Sequence, residues 1–251
     1  MTVEPRRLIL SRKGFDSASG GGPSPIIEGI PVSLPIPGEA FDGAPTYRDL
    51  NLGEYVLAAS KGKVSPDDPA HLDPFFSPTG QCAFGQADAA QSHLANQGVE
   101  PGDCFLFFGL FASPGGHERH HRIFGYLLVD QILDPSSAPP PEFAPRHPHF
   151  HGELRNRSRN VVYVGAGFKA QSIEPMLQLS AIRGNKPSLW QVPDWLHSRK
   201  SLTYHNAPGR WRHGNLLQSV GRGQEFIVEI AGNKAAQVWL RAVMAHIEMR
   251  Y

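Results

Sequence analysis

Apolar residues recur along this chain in short blocks separated by polar stretches rich in glycine and proline, the rhythm of strands and turns. Residues 7–11 predict a first strand that runs into a polar, glycine-rich loop over residues 12–25. Residues 31–49 mix Pro and Gly with scattered Leu and Ile and predict surface chain without regular structure. Alanines and Leu94, stopped by Gly98, predict a helix over residues 86–96. The turn Val99-Glu-Pro-Gly-Asp103 leads into a very apolar strand, residues 104–111, and a second strand over 123–133 follows a His-rich tip, so the pair is expected to be antiparallel. Six prolines make residues 134–148 an extended connection. Residues 160–164 and 224–230 read as further strands. Over residues 235–249 the period changes to 3.6, with Val238, Trp239, Ala242, Val243 and Ile247 on one stripe of an amphipathic helix. The expected fold is α+β: a curved, mostly antiparallel sheet or partial β-barrel braced by a few helices.

The length of 251 residues suits a single domain, residues 1–251, interrupted by the Pro-rich connection near 134–148. With 40% hydrophobic and 19% charged residues, the signature of disorder is absent. Gly 26 and Pro 23 exclude a helical bundle. The apolar run 104–112 is far shorter than the ~18–20 residues a membrane span needs. Leu8-Ile9-Leu10 is too short for a secretory core, so the expected location is the cytoplasm. Cys82 and Cys104 cannot form a disulfide framework and read as small buried hydrophobes.

Net charge is +1, yet it is unevenly divided. Residues 1–100 carry 12 acids and 7 bases, whereas residues 154–224 carry 11 Lys/Arg against Glu174 and Asp194. Such a basic segment can meet a phosphate backbone or simply form a solvated face. Trp190, Trp195, Tyr204 and Trp211 alternate there with Arg199, Lys200, Arg210 and Arg212, which offers stacking surfaces for unpaired bases or, equally, core residues.

Three constellations can carry chemistry. In the loop after the first strand, Ser11, Arg12, Lys13, Asp16, Ser17, Ser19 and Ser24 surround Gly14, Gly20, Gly21 and Gly22. The glycines permit close backbone approach, the bases supply charge, and Asp16 sits where it would stay ionised. The pattern is not a Walker loop, because Lys13 precedes the glycines. In the second, His71 and Asp73 lie two apart on extended chain and point to the same side, with Gly85-Gln86 following; an Asx-turn at Asp73-Pro74 is the structural alternative. The third is histidine crowding: His117, His120 and His121 at the hairpin tip, then His147, His149 and His151. Alternate histidines on extended chain put imidazoles on one face, a geometry zinc or iron can use. Yet no HExxH, cysteine partner or carboxylate in register completes a metal set, so they read as substrate-contacting or solvated histidines with no metal in the expected site. With no nucleotide-binding fingerprint, no cofactor is expected either.

The ordered string Ser11-Arg-Lys-Gly-Phe-Asp16, Gly21-Gly-Pro-Ser-Pro25, His71-Leu-Asp-Pro74, Gly102-Asp103 before an FFG strand, Phe124-Gly-Tyr-Leu127, His147-Pro-His149 and Gln224-Glu-Phe226 resembles the nucleotide modification associated domain family, in its third type, from about residue 8 to about residue 239. That resemblance implies a setting in prokaryotic and phage systems that install, alter or attack modified DNA bases. Pro101-Gly-Asp103 with Gly125-Tyr-Leu-Leu-Val129 is also similar, over a short span, to the core of PUA-like barrels, which read unusual bases.

Three functions follow as expectations, with DNA carrying modified bases as partner. The first is a DNA glycosylase that hydrolyses the N-glycosidic bond of a modified base, for example a glucosylated one, in a modified-DNA or anti-phage system: Asp16 or Asp73 would stabilise the sugar cation or activate water, and Lys13, His71 or His149 would handle protons. Substrate contacts would come from Ser11, Arg12, Ser17, Gly21, Ser24, Gln86, His147, Trp190, Tyr204, His205, Arg210, Trp211 and Gln224. A non-catalytic PUA-like reader of modified bases is the second, and a base-modifying transferase the third.

Overall fold

The computed structural model describes residues 4–15, 21–116, 118–182, 186–221 and 225–249. These described residues form twelve strands and four α-helices, with four short 3-10 turns between them. The main sheet has nine strands. Its path runs β12 (Glu225–Glu229), β1 (Arg7–Arg12), β6 (Cys104–Ala112), β7 (His120–Leu133), β8 (Val161–Lys169), β5 (Gln81–Gln86) and β4 (Phe75–Phe76). The short strands β2 (Ser24–Ile27) and β3 (Ile30–Pro31) attach beside β6. β1 and β2 pair with β6 in parallel, and the other pairings are antiparallel. The sheet curls into a half-barrel, so the fold is α+β.

Bulges contribute to the curl. In β7, Phe107 of β6 faces Gly125 and Phe108 faces Ile123, which leaves Phe124 as the extra residue. A second shift lies between Val129 and Gln131, and an extra residue bends a strand and strengthens its twist. Gly165 of β8 lies beside the second bulge, where an added Cβ would stand 2.0 Å from the Leu128 carbonyl oxygen.

Period-2 alternation then sorts side chains between two faces. The inner face carries Ile9, Phe84, Phe105, Phe107, Leu127, Tyr163 and Ile227. Leu8, Leu10, Leu106, Phe108, Phe226 and Val228 point outward and pack against the C-terminal helix α4 (Lys234–Glu248) and residues 177–217. The latter segment includes α3 (Asp194–Arg199) and a small sheet in the order β10 (Trp211–Arg212), β11 (Leu216–Gln218), β9 (Leu189–Gln191). A separate core around Tyr47 and Val56 holds α1 (Gly53–Ser60). Phe143, Ala144 and Phe150, from the Pro-rich connection and the turn after it, cover the outer side of β5 and β8.

Several expectations need correction. Residues 86–96 split between the end of β5 and helix α2 (Asp88–Asn96), because Gln86 is the last residue paired to β8. The buried stripe of α4 is Ala236, Leu240, Val243 and Ile247, whereas Val238 is exposed. The small elements α1, α3 and β9 to β11 carry too few residues to show a period, and tertiary packing decides them.

Candidate functional site

Two polar clusters flank β5, one on each face. On the outer side, Asp73 precedes a cis Asp73–Pro74 bond, and its carboxylate is almost completely buried. Oδ1 accepts from the Gly85 backbone N–H at 3.0 Å and lies 3.1 Å from His147 Nε2. The His149 backbone N–H donates to His147 Nδ1, which leaves the proton of that ring on Nε2 and makes it a donor to Asp73. Asp73 Oδ2 faces two more imidazoles, His71 Nε2 and His149 Nε2, each at 3.7 Å.

A short turn, Pro148–Phe150, presents His149, and Asn160 fixes the ring. The Asn160 amide nitrogen donates to the His149 and Leu154 carbonyls, so its oxygen is the acceptor facing His149 Nδ1. Gly85 gives the ring its space, since a Cβ there would lie 2.2 Å from it. Burial works against ionisation of Asp73, but the hydrogen bond from His147 and the electrostatic pull of the imidazoles around it hold its carboxyl well below the usual range. Burial also pushes His149 down to about 3, so the imidazole is neutral.

Inside the half-barrel, Glu225 of β12 is the centre of the second cluster. Its Oε1 accepts from Ser11 Oγ at 3.2 Å, Lys13 Nζ at 3.2 Å and the Gln86 side-chain amide. Its Oε2 is buried and has no hydrogen-bond partner among the described residues. Lys13 also lies 4.1 Å from the centre of the Phe84 ring, an added hold on the ammonium. β5 is not a neighbour of β12 in the sheet, so the contact of Gln86 with Glu225 crosses the gap between the two ends of the curl. Beside it, the His93 ring lies tilted against Tyr204, their centres 4.7 Å apart, and Tyr204 is 51% exposed.

The structure therefore brings together His71, Asp73, His147 and His149 in one cluster, and Ser11, Lys13 and Gln86 in the other. Ser24 is occupied structurally, its hydroxyl accepting from the Leu34 backbone. Arg12 turns away from Lys13, donates to the Val220 and Gly221 carbonyls and lies over the Phe108 and Phe226 rings. Gly21 holds a positive φ of 72° at the start of a described segment. Asp16, Ser17, His117 and Gln224 lie outside the described residues.

The aromatic and basic segment is corrected in part. Trp190 and Trp211 belong to the core, their indole N–H groups donating to His121 and to the His205 carbonyl, so neither offers a face for a base to stack on. His205 is buried, bonded to the Thr203 carbonyl and the Val220 amide. Arg210 donates to the Gln218 carbonyl. Of the aromatics in that segment, Tyr204 keeps an exposed ring.

Sequence reasoning missed Glu225 and Asn160. Glu225 shares the inward parity of Ile227, and an ionisable residue in that register is the signal that could have revealed it. Asn160 gives no signal of its own.

A curled sheet whose buried carboxylates stand on both sides of one strand defines an α+β half-barrel protein with a built polar site. The sequence matches the family described as nucleotide modification associated domain 3 over residues 7–229 of the 251, and the chain belongs to that family. Membership is consistent with a modified-DNA system. No curated protein and no solved structure matches the chain. Among the described residues, no helix is long and apolar enough to cross a membrane.

Proposed function

We propose that this protein hydrolyses the N-glycosidic bond of a modified nucleotide in DNA, with Glu225 as the carboxylate that meets the sugar. The observation that carries the reading is the asymmetry of Glu225: among the described residues three donors converge on Oε1 and none reaches Oε2. A buried ion pair stabilises a fold poorly compared with apolar packing, and a purely structural carboxylate would use both oxygens. Three donors on one oxygen instead aim the other. Scission of the bond builds positive charge at the anomeric carbon, which an ionised carboxylate stabilises, and water then delivers hydroxide to that carbon while the base departs with a proton.

Ser11, Lys13 and Gln86 position the carboxylate in this reading, and exposed Tyr204 supplies a stacking face for a nucleotide taken out of its helix. Family membership is consistent with a modified-DNA system and so supports a modified nucleotide as the substrate. The test is to incubate the protein with two DNAs that differ only in carrying glucosylated hydroxymethylcytosine, then apply alkaline cleavage and mass spectrometry. Free modified base and strand breaks are expected with the modified DNA, and Glu225→Gln, which keeps the shape, is expected to lower release by at least about 100-fold. Tight binding to the modified DNA with no released base would instead assign the protein as a reader.

A further inference from the structure

We propose that His71 Nε2, Asp73 Oδ2 and His149 Nε2 form a binding site for a divalent first-row transition metal ion. The three ligand atoms all lie within 4.8 Å of one another. Both histidine–carboxylate separations are 3.7 Å, too long for a direct hydrogen bond. Ligands about 2.0–2.2 Å from a tetrahedral zinc ion are roughly 3.4 Å apart, so a small closure completes the set.

The surrounding contacts orient the ligands. Asn160 accepts from His149 Nδ1 and thereby leaves the lone pair on Nε2, the arrangement usual for a metal-bound histidine. Gly85 N–H and His147 Nε2 saturate Asp73 Oδ1 and leave Oδ2 to the other two imidazoles. His147 is thus a positioning residue for the carboxylate. Two imidazoles and one carboxylate favour zinc or ferrous iron over magnesium, which prefers oxygen ligands. Three protein ligands also leave coordination positions for water, and Asp73 forms part of the wall of a cavity of about 280 Å³ lined by Leu72, Phe75 and Phe76.

The site is on the outer face of β5, opposite Gln86 and Glu225, so it stands whether or not the glycosidic reading does. The test is calorimetric titration of chelator-stripped protein with Zn²⁺, and visible spectroscopy after loading with Co²⁺. One ion per chain is expected, together with a Co²⁺ spectrum typical of mixed nitrogen and oxygen ligands. His71→Ala, at the more exposed ligand, should weaken Zn²⁺ binding by more than about 100-fold, while His151→Ala, outside the set, should leave it unchanged. Absence of stoichiometric Zn²⁺ and Fe²⁺ binding by folded wild-type protein overturns the proposal, as does undiminished binding by His71→Ala. Neither result depends on base release, which reports on Glu225 alone.

Discussion

His121 shows what burial does to a single titratable residue. Its Nδ1 accepts the indole N–H of Trp190 at 2.9 Å, so the ring must be neutral to keep that bond. Burial, aided by the charges of Arg12 and His120, pushes its pKa down to about 3. In the unfolded chain a histidine titrates near ~6.5, so the unfolded state takes up the proton first as pH falls. The contribution of His121 is therefore complete above that value and is lost as the pH descends from there towards 3. Urea unfolding at pH 7.5, 5.5 and 4.5 should show stability falling with a slope of up to about 1.4 kcal/mol per pH unit from this group. His121→Gln should flatten that slope while lowering stability at pH 7.5. The same residue illustrates a limit of sequence reading: crowded with His117 and His120 at a polar hairpin tip, it reads as a loop histidine, and only the partner Trp190, 69 positions away, makes it a core group.

At the scale of elements, the two long hairpin strands were readable because their apolar runs are long and bounded by turn residues, and β6 and β7 pair as expected. Helix α4 was readable as an element but not in its exact face, because Trp239 and Val238 blur the stripe. Leu240 is 1% exposed and Val238 is 58% exposed, which separates their roles. Leu240→Ala should cost about 2–5 kcal/mol by removing packing against the outer face of the sheet. Val238→Ala should stay within about 0.5 kcal/mol, and thermal or urea unfolding of the two variants distinguishes them. The boundary between β5 and α2 escaped the sequence because alanine-rich chain suits a helix, while pairing of Gly85 and Gln86 with Val162 and Val161 is a long-range event.

For the whole molecule, the polar cluster at Glu225 ties the two ends of the curl. Gln86→Ala removes a donor from a buried carboxylate and should cost about 1–3 kcal/mol. Because β5 and β12 meet there without a ladder between them, hydrogen exchange should accelerate in both strands in this variant and leave β7 protected. Equal exchange in all strands would count against a role for Gln86 in holding the curl. The sequence by itself determined the fold class, the strand-rich pattern and the pairing of β6 with β7, because hydrophobic period and turn chemistry are local. It also brought out Lys13, His71, Asp73 and His149 as candidates, since those residue types stand out from their neighbours. Only the tertiary structure decided how they group. His71 and Asp73 meet His147 and His149 across more than 70 positions, and Lys13 meets Glu225 across 212. The curl of the sheet sets these distances, and the alternation of side chains on β5 puts the two carboxylates on opposite faces of one strand. Burial of Trp190 and Trp211 was likewise a tertiary outcome, because an indole between basic residues has the same sequence signature whether it packs inward or faces solvent.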